Sequence, residues 1–329
     1  MVSSLLGVGL SAERRTAAPE IDSAALLSRH GHNPFSFCIR YEAPWQYVSR
    51  DASAAPYLQS GRAAVVWADP LVAHADAKAF LDELTGELRG RRLRVCLLVV
   101  GEEVARHALA RGYGVIKIGE QPTFALQTWE PPRGDPGKHL RWCLNKAARA
   151  GVRIRPFEVD DVGAVDDTVA AWLAGRPPVE SFLRTSPLTL AEEKRIFVAY
   201  TDRVEAVVAC SPAVDGWLLE DLVRRPDAPM GATEALVIRT LHELAVSGAR
   251  TAWMDIAPLR GFNQQLDRRA RLLLLPASLA VRSFDKRYGF RNLATYLEKF
   301  HPTSWTPRYV ALNPPLPTPS LVRALTKLL

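Results

Sequence analysis

The sequence predicts an α/β protein of two successive domains, in which mixed β-sheets are flanked by helices. With 329 residues, the chain is longer than one ordinary hydrophobic core requires. Its content of 48% hydrophobic and 23% charged residues is typical of a folded globular protein. Short apolar segments of strand type also alternate with amphipathic segments of helix length, which is the pattern of a sheet covered by helices.

The first domain is predicted over residues 21–132, after a loose leader over residues 1–20. A short helix is expected over 23–29, and longer helices over 75–89 and 102–111, each of the longer two followed by a glycine. Runs of β-branched and aromatic residues predict the strands. The predicted strands are 35–40, 45–49, 63–67, 94–100, 113–118 and 124–126.

A linker rich in proline and glycine, residues 130–137, separates the two domains. Residues 133–329 are predicted to form a basic connecting helix and the second domain. Its helices are expected over 138–150, 162–174, 233–247 and 320–329, and its strands over 152–157, 196–200, 204–210, 216–223 and 251–256. The last helix is expected to pack onto the body through Leu321, Leu325 and Leu328. The similar order of elements in the two halves suggests a tandem duplication.

Cysteine usage indicates a reducing compartment. Four cysteines lie far apart, without the paired spacing of a zinc site, and are predicted to be buried thiols in the cytoplasm. They are Cys38, Cys96, Cys143 and Cys210. The first ten residues are mildly apolar, but the basic pair Arg14 and Arg15 follows them instead of preceding them, which is the wrong order for a secretory signal.

The longest apolar stretch, residues 272–281, is half of the roughly 20 residues that a membrane-spanning helix needs, and Pro276 interrupts it. We therefore expect no transmembrane helix. Arg268, Arg269 and Arg271 flank this stretch, so contact with the inner face of an anionic membrane or with an acyl chain is one interpretation. A buried core segment is the other.

The excess of positive charge is local. The net charge is +7, and between Gly137 and Phe157 there are six Lys or Arg residues and no acid. On a helix over 138–150, the side chains of Lys138, Arg141, Asn145 and Arg149 fall on one face. Such a face favours a polyanion or an anionic membrane surface as partner, and a plain solvated face is the alternative.

A strand, a proline-containing loop and a helix start follow one another over residues 218–235. Glu220 and Asp221 lie near the end of the strand, Arg224 and Arg225 at its edge, and the helix begins near residue 232. Such a point in an α/β fold binds anionic ligands, because free backbone N–H groups point outward there. An acetyl-CoA enzyme would carry a glycine-rich loop at this position, whereas this loop contains only Gly231.

Residues 288–309 are rich in aromatic side chains and are expected to form a strand, a turn, a short helix ending at 298–300 and a proline-containing exit. Lys299 directly precedes Phe300, and Arg308 lies between Trp305 and Tyr309. Cations fixed between aromatic walls suit an anionic or ester-bearing substrate, and a surface helix with extended cationic side chains is the alternative. The charged residues 192–195, by contrast, are expected to form a solvated helix face.

Five segments in this order resemble the catalytic C-terminal domain of the lysyl- and alanyl-phosphatidylglycerol synthase family. They are 117–122, 139–151, 218–231, 254–259 and 288–309. The third keeps Asp221, Leu222, Arg224, Arg225 and the glycine of the family's pattern. It departs from that pattern at Val223 and Met230. The resemblance covers about residues 112–311 and is weak over 1–60.

The resemblance implies two tandem acetyltransferase-like (GNAT-like) folds, standing alone without the membrane domain of the best-known members. It also implies an aminoacyltransferase whose donor, and only co-substrate, is an aminoacyl-tRNA. The acceptor would be the hydroxyl of a phosphatidylglycerol-type lipid, or a hydroxyl or amine of a small metabolite. No cofactor, metal or DNA partner is implied.

Candidate residues follow from the resemblance and from the chemistry of ester transfer. Asp221 is the first candidate to bind the substrate's ammonium, and Asp255 is the second. Asp221 or Glu220 would act as the general base. The full set consists of the catalytic candidates Asp221, Arg224, Lys299 and Arg308, the substrate-binding candidates Glu220, Arg225, Asp255, Tyr288, Phe300, Trp305 and Tyr309, and the tRNA-binding candidates Lys138, Arg141, Lys146 and Arg149. For any one of them, an ion pair that ties strands together is the alternative.

Two other functions remain open from the sequence. The same fold would suit an acyl-CoA-dependent N-acyltransferase, although the glycine-poor loop before residue 232 opposes it. The basic helix would also suit a non-catalytic RNA-binding module. Such a module would not explain the grouping of Asp221, Lys299 and Arg308.

Overall fold

A computed structural model describes residues 21–174, 186–267, 270 and 290–328. The predicted leader, Tyr288 and most of the arginine- and leucine-rich segment 268–282 lie outside the described residues. Within them, the helices are α1 (Ser23–His30), α2 (Ala77–Gly90), α3 (Glu102–Ala110), α4 (Lys138–Arg149), α5 (Val162–Ala174), α6 (Ala232–Val246), α7 (Phe290–Glu298) and α8 (Pro319–Leu328). None of the helices in this part of the chain is long and apolar enough to cross a membrane.

Twelve described strands form a single mixed sheet. They are β1 (Gln46–Arg50), β2 (Ser53–Ser60), β3 (Ala63–Trp67), β4 (Arg94–Val100), β5 (Gly114–Ala125), β6 (Arg153–Pro156), β7 (Arg195–Tyr200), β8 (Val204–Ala213), β9 (Gly216–Arg224), β10 (Thr251–Met254), β11 (Ala257–Pro258) and β12 (Ser304–Asn313). Their spatial order is β1-β2-β3-β4-β12-β5-β10-β9-β8-β7-β6, with β11 paired to β5. Because β12 lies between β4 and β5, the end of the chain completes the sheet of the first half.

The two halves repeat one arrangement. In the first, β2 and β3 are antiparallel, and α2 leads to β4, which is parallel to β3. In the second, β8 and β9 are antiparallel, and α6 leads to β10, which is parallel to β9. This repeat agrees with the predicted class of tandem α/β folds with mixed sheets flanked by helices. The domain boundary at residues 132–133 stays a prediction.

Both faces of the sheet are covered. In the first half, α2 and α3 pack on one face through residues such as Leu84 and Ala105, and α8 packs on the other. In the second half, α4, α6 and α7 cover one face and α5 covers the other. Leu321 of α8 is fully buried, which confirms that the last helix packs onto the body. All four cysteines are buried and free, as predicted.

Several predicted boundaries agree with the structure to within a residue or two, but four local assignments are wrong. Residues 34–40 form a 3-10 helix (Pro34–Arg40) instead of a strand, because Pro34 fixes the first turn and the side chain of Asn33 accepts a hydrogen bond from the amide of Phe35. Strand β2 was missed, because its alanines and proline lack the usual strand signature.

The strands predicted over 113–118 and 124–126 are one long strand, β5, whose edges are shared by β10, β11 and β12. In the aromatic run at 288–309, the helix already begins at Phe290, in place of the predicted strand and turn. The proline-containing exit is strand β12, since neighbours on both sides supply its hydrogen bonds.

Candidate active site

The candidate site lies where the parallel strands β9 and β10 separate, and we call the gap between their diverging ends the cleft. The two strands pair from Gly216 and Thr251 as far as Leu219 and Met254. Beyond that point β9 continues along β8, whereas the chain after Met254 turns away and pairs as β11 with β5. The ends of two adjacent parallel strands therefore diverge, which is where open α/β sheets place ligands.

A β-bulge turns two neighbouring carboxylates of β9 toward one cation. Leu219 is opposite Cys210, and Asp221 is opposite Ala209, so that Glu220 is the extra residue. In a regular strand, Glu220 and Asp221 would point to opposite faces. With the bulge, the ammonium of Lys194 lies 2.8 Å from Oε1 of Glu220 and 4.0 Å from Oδ2 of Asp221. Bulges are common beside active sites, where they re-aim side chains.

Lys194 corrects the prediction of a solvated helix face over 192–195. Its side chain is completely buried, because the 3-10 turn ends at Glu193 and β7 begins at Arg195, which directs Lys194 inward. The hydroxyl of Tyr41 donates a hydrogen bond to Glu220, and the Lys194 ammonium lies 4.8 Å from the centre of the Tyr41 ring. Sequence reasoning missed both residues, since neither lies in a recognisable motif.

Two carboxyl groups at the cleft, those of Asp221 and Asp255, have raised pKa values. Burial, and then the negative charge of Glu220, raise the pKa of Asp221 to about 7. Burial also raises the pKa of Asp255 to about 6, although a hydrogen bond from the amide of Ile256 opposes this. Asp221 is partly accessible and Asp255 is exposed to solvent, yet protein surrounds both, as expected at the floor of a cleft.

The cleft therefore carries three carboxyl groups against one buried ammonium. Oδ2 of Asp221 is a buried atom without a hydrogen-bond partner among the described residues. Buried polar atoms normally accept or donate a hydrogen bond, so an oxygen that has only an ion-pair partner at 4.0 Å indicates a place for a donor. In the described ranges, no group of three or more His, Cys, Asp or Glu side chains could hold a metal ion.

A second charged group lies at the start of α6. The ammonium of Lys299 is 2.8 Å from Oε1 of Glu234 and 4.9 Å from the centre of the Tyr296 ring. Burial opposes ionisation of Glu234, but the hydrogen bond and charge of Lys299 outweigh burial and lower its pKa. Burial raises the pKa of the Tyr296 hydroxyl, and Arg224, exposed at the end of β9, partly opposes this. The ammonium of Lys299 therefore lies beside the Tyr296 ring, and the charge of Arg224 also acts on the Tyr296 hydroxyl.

Gly231 joins this group to the basic helix. Its φ of +87° favours glycine, and a Cβ added there would lie 2.0 Å from the carbonyl oxygen of Cys143 in α4. The loop before α6 therefore packs directly on α4. Burial raises the pKa of the Cys143 thiol, and the charge of Glu234 adds to it, which places α4 beside the Glu234–Lys299 pair.

The faces of α4 agree with the predicted pattern. Leu140, Cys143 and Ala147 are buried. The tRNA-binding candidates are all exposed: Lys138, Arg141, Lys146 and Arg149. Arg141 also donates a 2.6 Å hydrogen bond to the carbonyl oxygen of Gly134, which ties the helix to the linker.

Other predicted site residues are occupied by contacts within the protein. Phe300 and Tyr309 are buried in two different hydrophobic cores, where a substrate has no access to them. Trp305 is half-buried, and the Arg260 guanidinium lies 4.0 Å from its ring centre. Arg225 is half-buried, with Nε 3.6 Å from Asp227.

Arg308 is 4% exposed and donates hydrogen bonds of 3.0 and 2.6 Å to Oε1 of Gln121. The amide of Gln121 in turn donates a 3.0 Å hydrogen bond to the carbonyl oxygen of Met254, the residue before Asp255. Arg308 is therefore connected to the cleft through a buried glutamine, and this arrangement suits positioning of the Asp255 backbone.

Comparison with known proteins identifies the family. A profile described as phosphatidylglycerol lysyltransferase, C-terminal, matches residues 24–312. No curated protein has significant sequence similarity to the chain.

Solved structures share the fold at low sequence identity. L-PGS from Bacillus licheniformis is 19% identical, with a TM-score of 0.74 over 94% of this chain and 96% of that one. A C-terminal domain (DUF2156) from Agrobacterium fabrum, of lysylphosphatidylglycerol synthetase type, is 18% identical, with a TM-score of 0.72 over 93% and 95%. FemX is 10% identical, with a TM-score of 0.56 over 92% and 97%. This chain therefore belongs to the family of phosphatidylglycerol lysyltransferase C-terminal domains, which is an aminoacyltransferase family.

Proposed function

We propose that the protein transfers an amino acid from an aminoacyl-tRNA to a hydroxyl or amine acceptor. The observation that carries this proposal is the cleft, in which Glu220 and Asp221 lie against the buried cation Lys194 and the charge of Asp255 acts on Asp221. An aminoacyl ester brings a positively charged ammonium and a polarised carbonyl. A cleft with an excess of carboxylates attracts the first, and cations at its edge can stabilise charge on the second.

We assign the substrate's ammonium to Asp255. Its carboxylate is exposed to solvent at the cleft, and with a pKa of about 6 it is mostly ionised at neutral pH. Glu220 is less available, because Tyr41 donates to it and Lys194 lies 2.8 Å from it. Glu220 and Lys194 then stabilise the bulge, and the Asp255 carboxylate binds the substrate's ammonium.

We assign Asp221 as the general base. A pKa of about 7 matches the operating pH that favours proton transfer by a side chain. Asp221 takes the proton of the acceptor hydroxyl while the acceptor oxygen attacks the ester carbonyl. The bond from the carbonyl carbon to the ribose oxygen then breaks, and Asp221 returns the proton to that oxygen. The proton that Asp221 takes from the acceptor is the proton it gives to the ribose oxygen, so Asp221 ends the reaction in its starting state.

The tetrahedral intermediate carries a negative oxygen that needs a cation. Lys299 and Arg224 are the candidates, since Arg224 ends the strand that carries Asp221 and Lys299 pairs with Glu234 at the start of the following helix. Because an aminoacyl ester is already activated, positioning and electrostatic stabilisation can supply most of the rate enhancement.

We propose that the basic helix α4 binds the aminoacyl-tRNA, which is the donor. The acceptor belongs to one of two chemical classes. The exposed cations of α4 suit the phosphates of tRNA. The acceptor is a phosphatidylglycerol-type lipid, reached by peripheral contact with an anionic membrane, or a small metabolite. Both present a nucleophilic hydroxyl or amine.

The test is a transfer assay with a mixture of tRNAs charged with radiolabelled amino acids, with and without phosphatidylglycerol vesicles. Label in the lipid fraction would identify the lipid as acceptor and also the amino acid. Label that leaves tRNA only after addition of a metabolite extract would identify a small-molecule acceptor. Absence of transfer under every condition, together with binding of CoA, would contradict the proposal and favour acyl-CoA chemistry.

A further inference from the structure

A large aromatic side chain lies exposed in the middle of the basic helix. Trp142 of α4 is 45% exposed, although neighbouring Leu140 and Cys143 are buried. The ring of His139 stacks beside it, with ring centres 5.8 Å apart and planes 20° apart. The ammonium of Lys146 lies 5.8 Å from the indole centre, near the outer limit of about 6 Å for a cation–π contact.

We propose that Trp142 is a stacking platform for an unpaired nucleobase at the 3′ end of the tRNA. This inference rests on the proposed function. Sites for single-stranded nucleic acid combine aromatic rings, on which bases stack, with a cationic surface that follows the backbone. The helix α4 has both, since the exposed Lys138, Arg141, Lys146 and Arg149 occupy the turns before and after Trp142.

The position of Trp142 relative to the site suits the 3′ end, which carries the amino acid. The next residue, Cys143, contacts Gly231 of the loop before α6 and lies beside Glu234, the partner of Lys299. A nucleotide that stacks on Trp142 therefore lies on the helix that packs beside the Glu234–Lys299 pair. The terminal ester can then enter the cleft while the phosphates upstream follow α4.

The surroundings of Trp142 favour RNA over a lipid surface. Interfacial membrane helices bury a continuous face of large apolar side chains. The exposed side chains of α4 are polar or charged apart from Trp142 and Ala148. The contact of Lys146 with the ring is loose, so its flexible side chain can move to a phosphate when a base enters.

The test compares two RNAs in equilibrium binding, an intact tRNA and the same tRNA without its unpaired 3′ nucleotides. We expect Trp142→Ala to weaken binding of the intact tRNA by about tenfold, the size of effect that base–aromatic stacking usually has. It should not change binding of the shortened tRNA. Trp142→Phe should retain most of the affinity, because a ring remains. Leu173→Ala is the matched control, since Leu173 is 46% exposed on α5.

Salt dependence separates stacking from charge. Lys146→Gln should reduce the slope of log affinity against log salt by about one, whereas Trp142→Ala should leave the slope unchanged. Equal losses for both RNAs, or no loss for either, would overturn the inference. Reduced binding of Trp142→Ala to phosphatidylglycerol vesicles with unchanged tRNA binding would overturn it in favour of a membrane anchor.

The two proposals fail in different ways. If the wild-type protein transfers no amino acid from tRNA, the proposed function is wrong. If the wild type transfers but Trp142→Ala keeps the wild-type KM for the charged tRNA, only the stacking platform is wrong.

Discussion

The two pairs of parallel strands have the same topology but opposite chemistry at their ends. At the ends of β3 and β4, the carboxylate of Asp69 accepts hydrogen bonds of 2.8 Å from the amide of Gly101 and 3.0 Å from Asn33. At the ends of β9 and β10, one oxygen of Asp221 has no hydrogen-bond partner among the described residues, and Asp255 is open to solvent. At the first pair the carboxylate is satisfied by the protein's own groups, whereas at the second pair the described residues leave Asp255 exposed and Asp221 short of a donor.

The difference arises from what lies next to each pair. In the first half, β12 pairs with β4 and brings in the buried Arg308, whose charge opposes the effect of burial on the pKa of Asp69. Asn33 fills the remaining space by donating to Asp69 and to the carbonyl oxygen of Val99. In the second half, the chain after β10 turns away to pair with β5, and within the described part of the chain no side chain donates a hydrogen bond to Oδ2 of Asp221. One arrangement of strands thus serves as a scaffold in one half and as a site in the other.

The largest expected effect is on activity. Asp221→Asn should lower the rate of transfer by about 10²- to 10⁴-fold, because it removes the proposed base. Asp69→Asn should change the rate per folded molecule little. Both variants are measured in the tRNA transfer assay after their folded fractions are matched by circular dichroism. Equal losses in the two variants would place Asp69 in the reaction and contradict the comparison.

Stability should separate the two buried lysines. Lys194→Met leaves Glu220 and Asp221 without their cation, and we expect a loss of about 3–5 kcal/mol in unfolding free energy. Lys117→Met should cost less, because Glu120, its partner at 2.6 Å, also lies 3.1 Å from Arg260. Urea unfolding measures both.

A second substitution tests the cause of that loss. Glu220→Gln in the Lys194→Met background should recover part of the lost stability, since it removes an unpaired charge. If the double variant is no more stable than Lys194→Met, the loss comes from packing and not from charge.

The pH dependence of stability gives the smallest expected effect. The pKa of Asp221 in the folded state, about 7, lies above the ordinary aspartate value of 3.8. The folded state therefore holds this proton more tightly, and the stability it contributes at low pH is lost as pH rises through 7. Asp221→Asn should melt several degrees above the wild type at pH 8 and at nearly the same temperature at pH 4. An equal difference at both pH values would contradict a raised pKa.

Much of this fold could be predicted from local patterns. Helix α5 and strand β4 have the predicted bounds, and the buried and cationic faces of α4 follow from its period. The 3-10 helix at 34–40 could not be predicted, because the side-chain cap of Asn33 determines it. The long strand β5 could not be predicted, because it depends on sheet partners from distant parts of the chain.

The candidate site was predictable only in part. Glu220, Asp221 and Asp255 could be found because they lie in recognisable segments next to strand ends. Lys194 and Tyr41 could not, since their contacts with Glu220 join residues far apart in the chain. Arg308 could be selected by resemblance, but its burial behind Gln121 depends on the insertion of β12 between β4 and β5.

The sequence by itself determined the alternation of strands and helices, the family and the positive face of α4. Each of these depends only on local hydrophobic periodicity, on composition or on a sequence motif. Only the tertiary structure decided that the carboxylate at one parallel pair is satisfied by the protein's own groups, whereas among the described residues Asp221 at the other is short of a donor. It also decided that a bulge turns Glu220 and Asp221 toward one buried lysine. The physical reason is that burial and charge pairing depend on which distant segments the sheet brings together, and this raises the pKa of Asp221 in a way that no local pattern encodes.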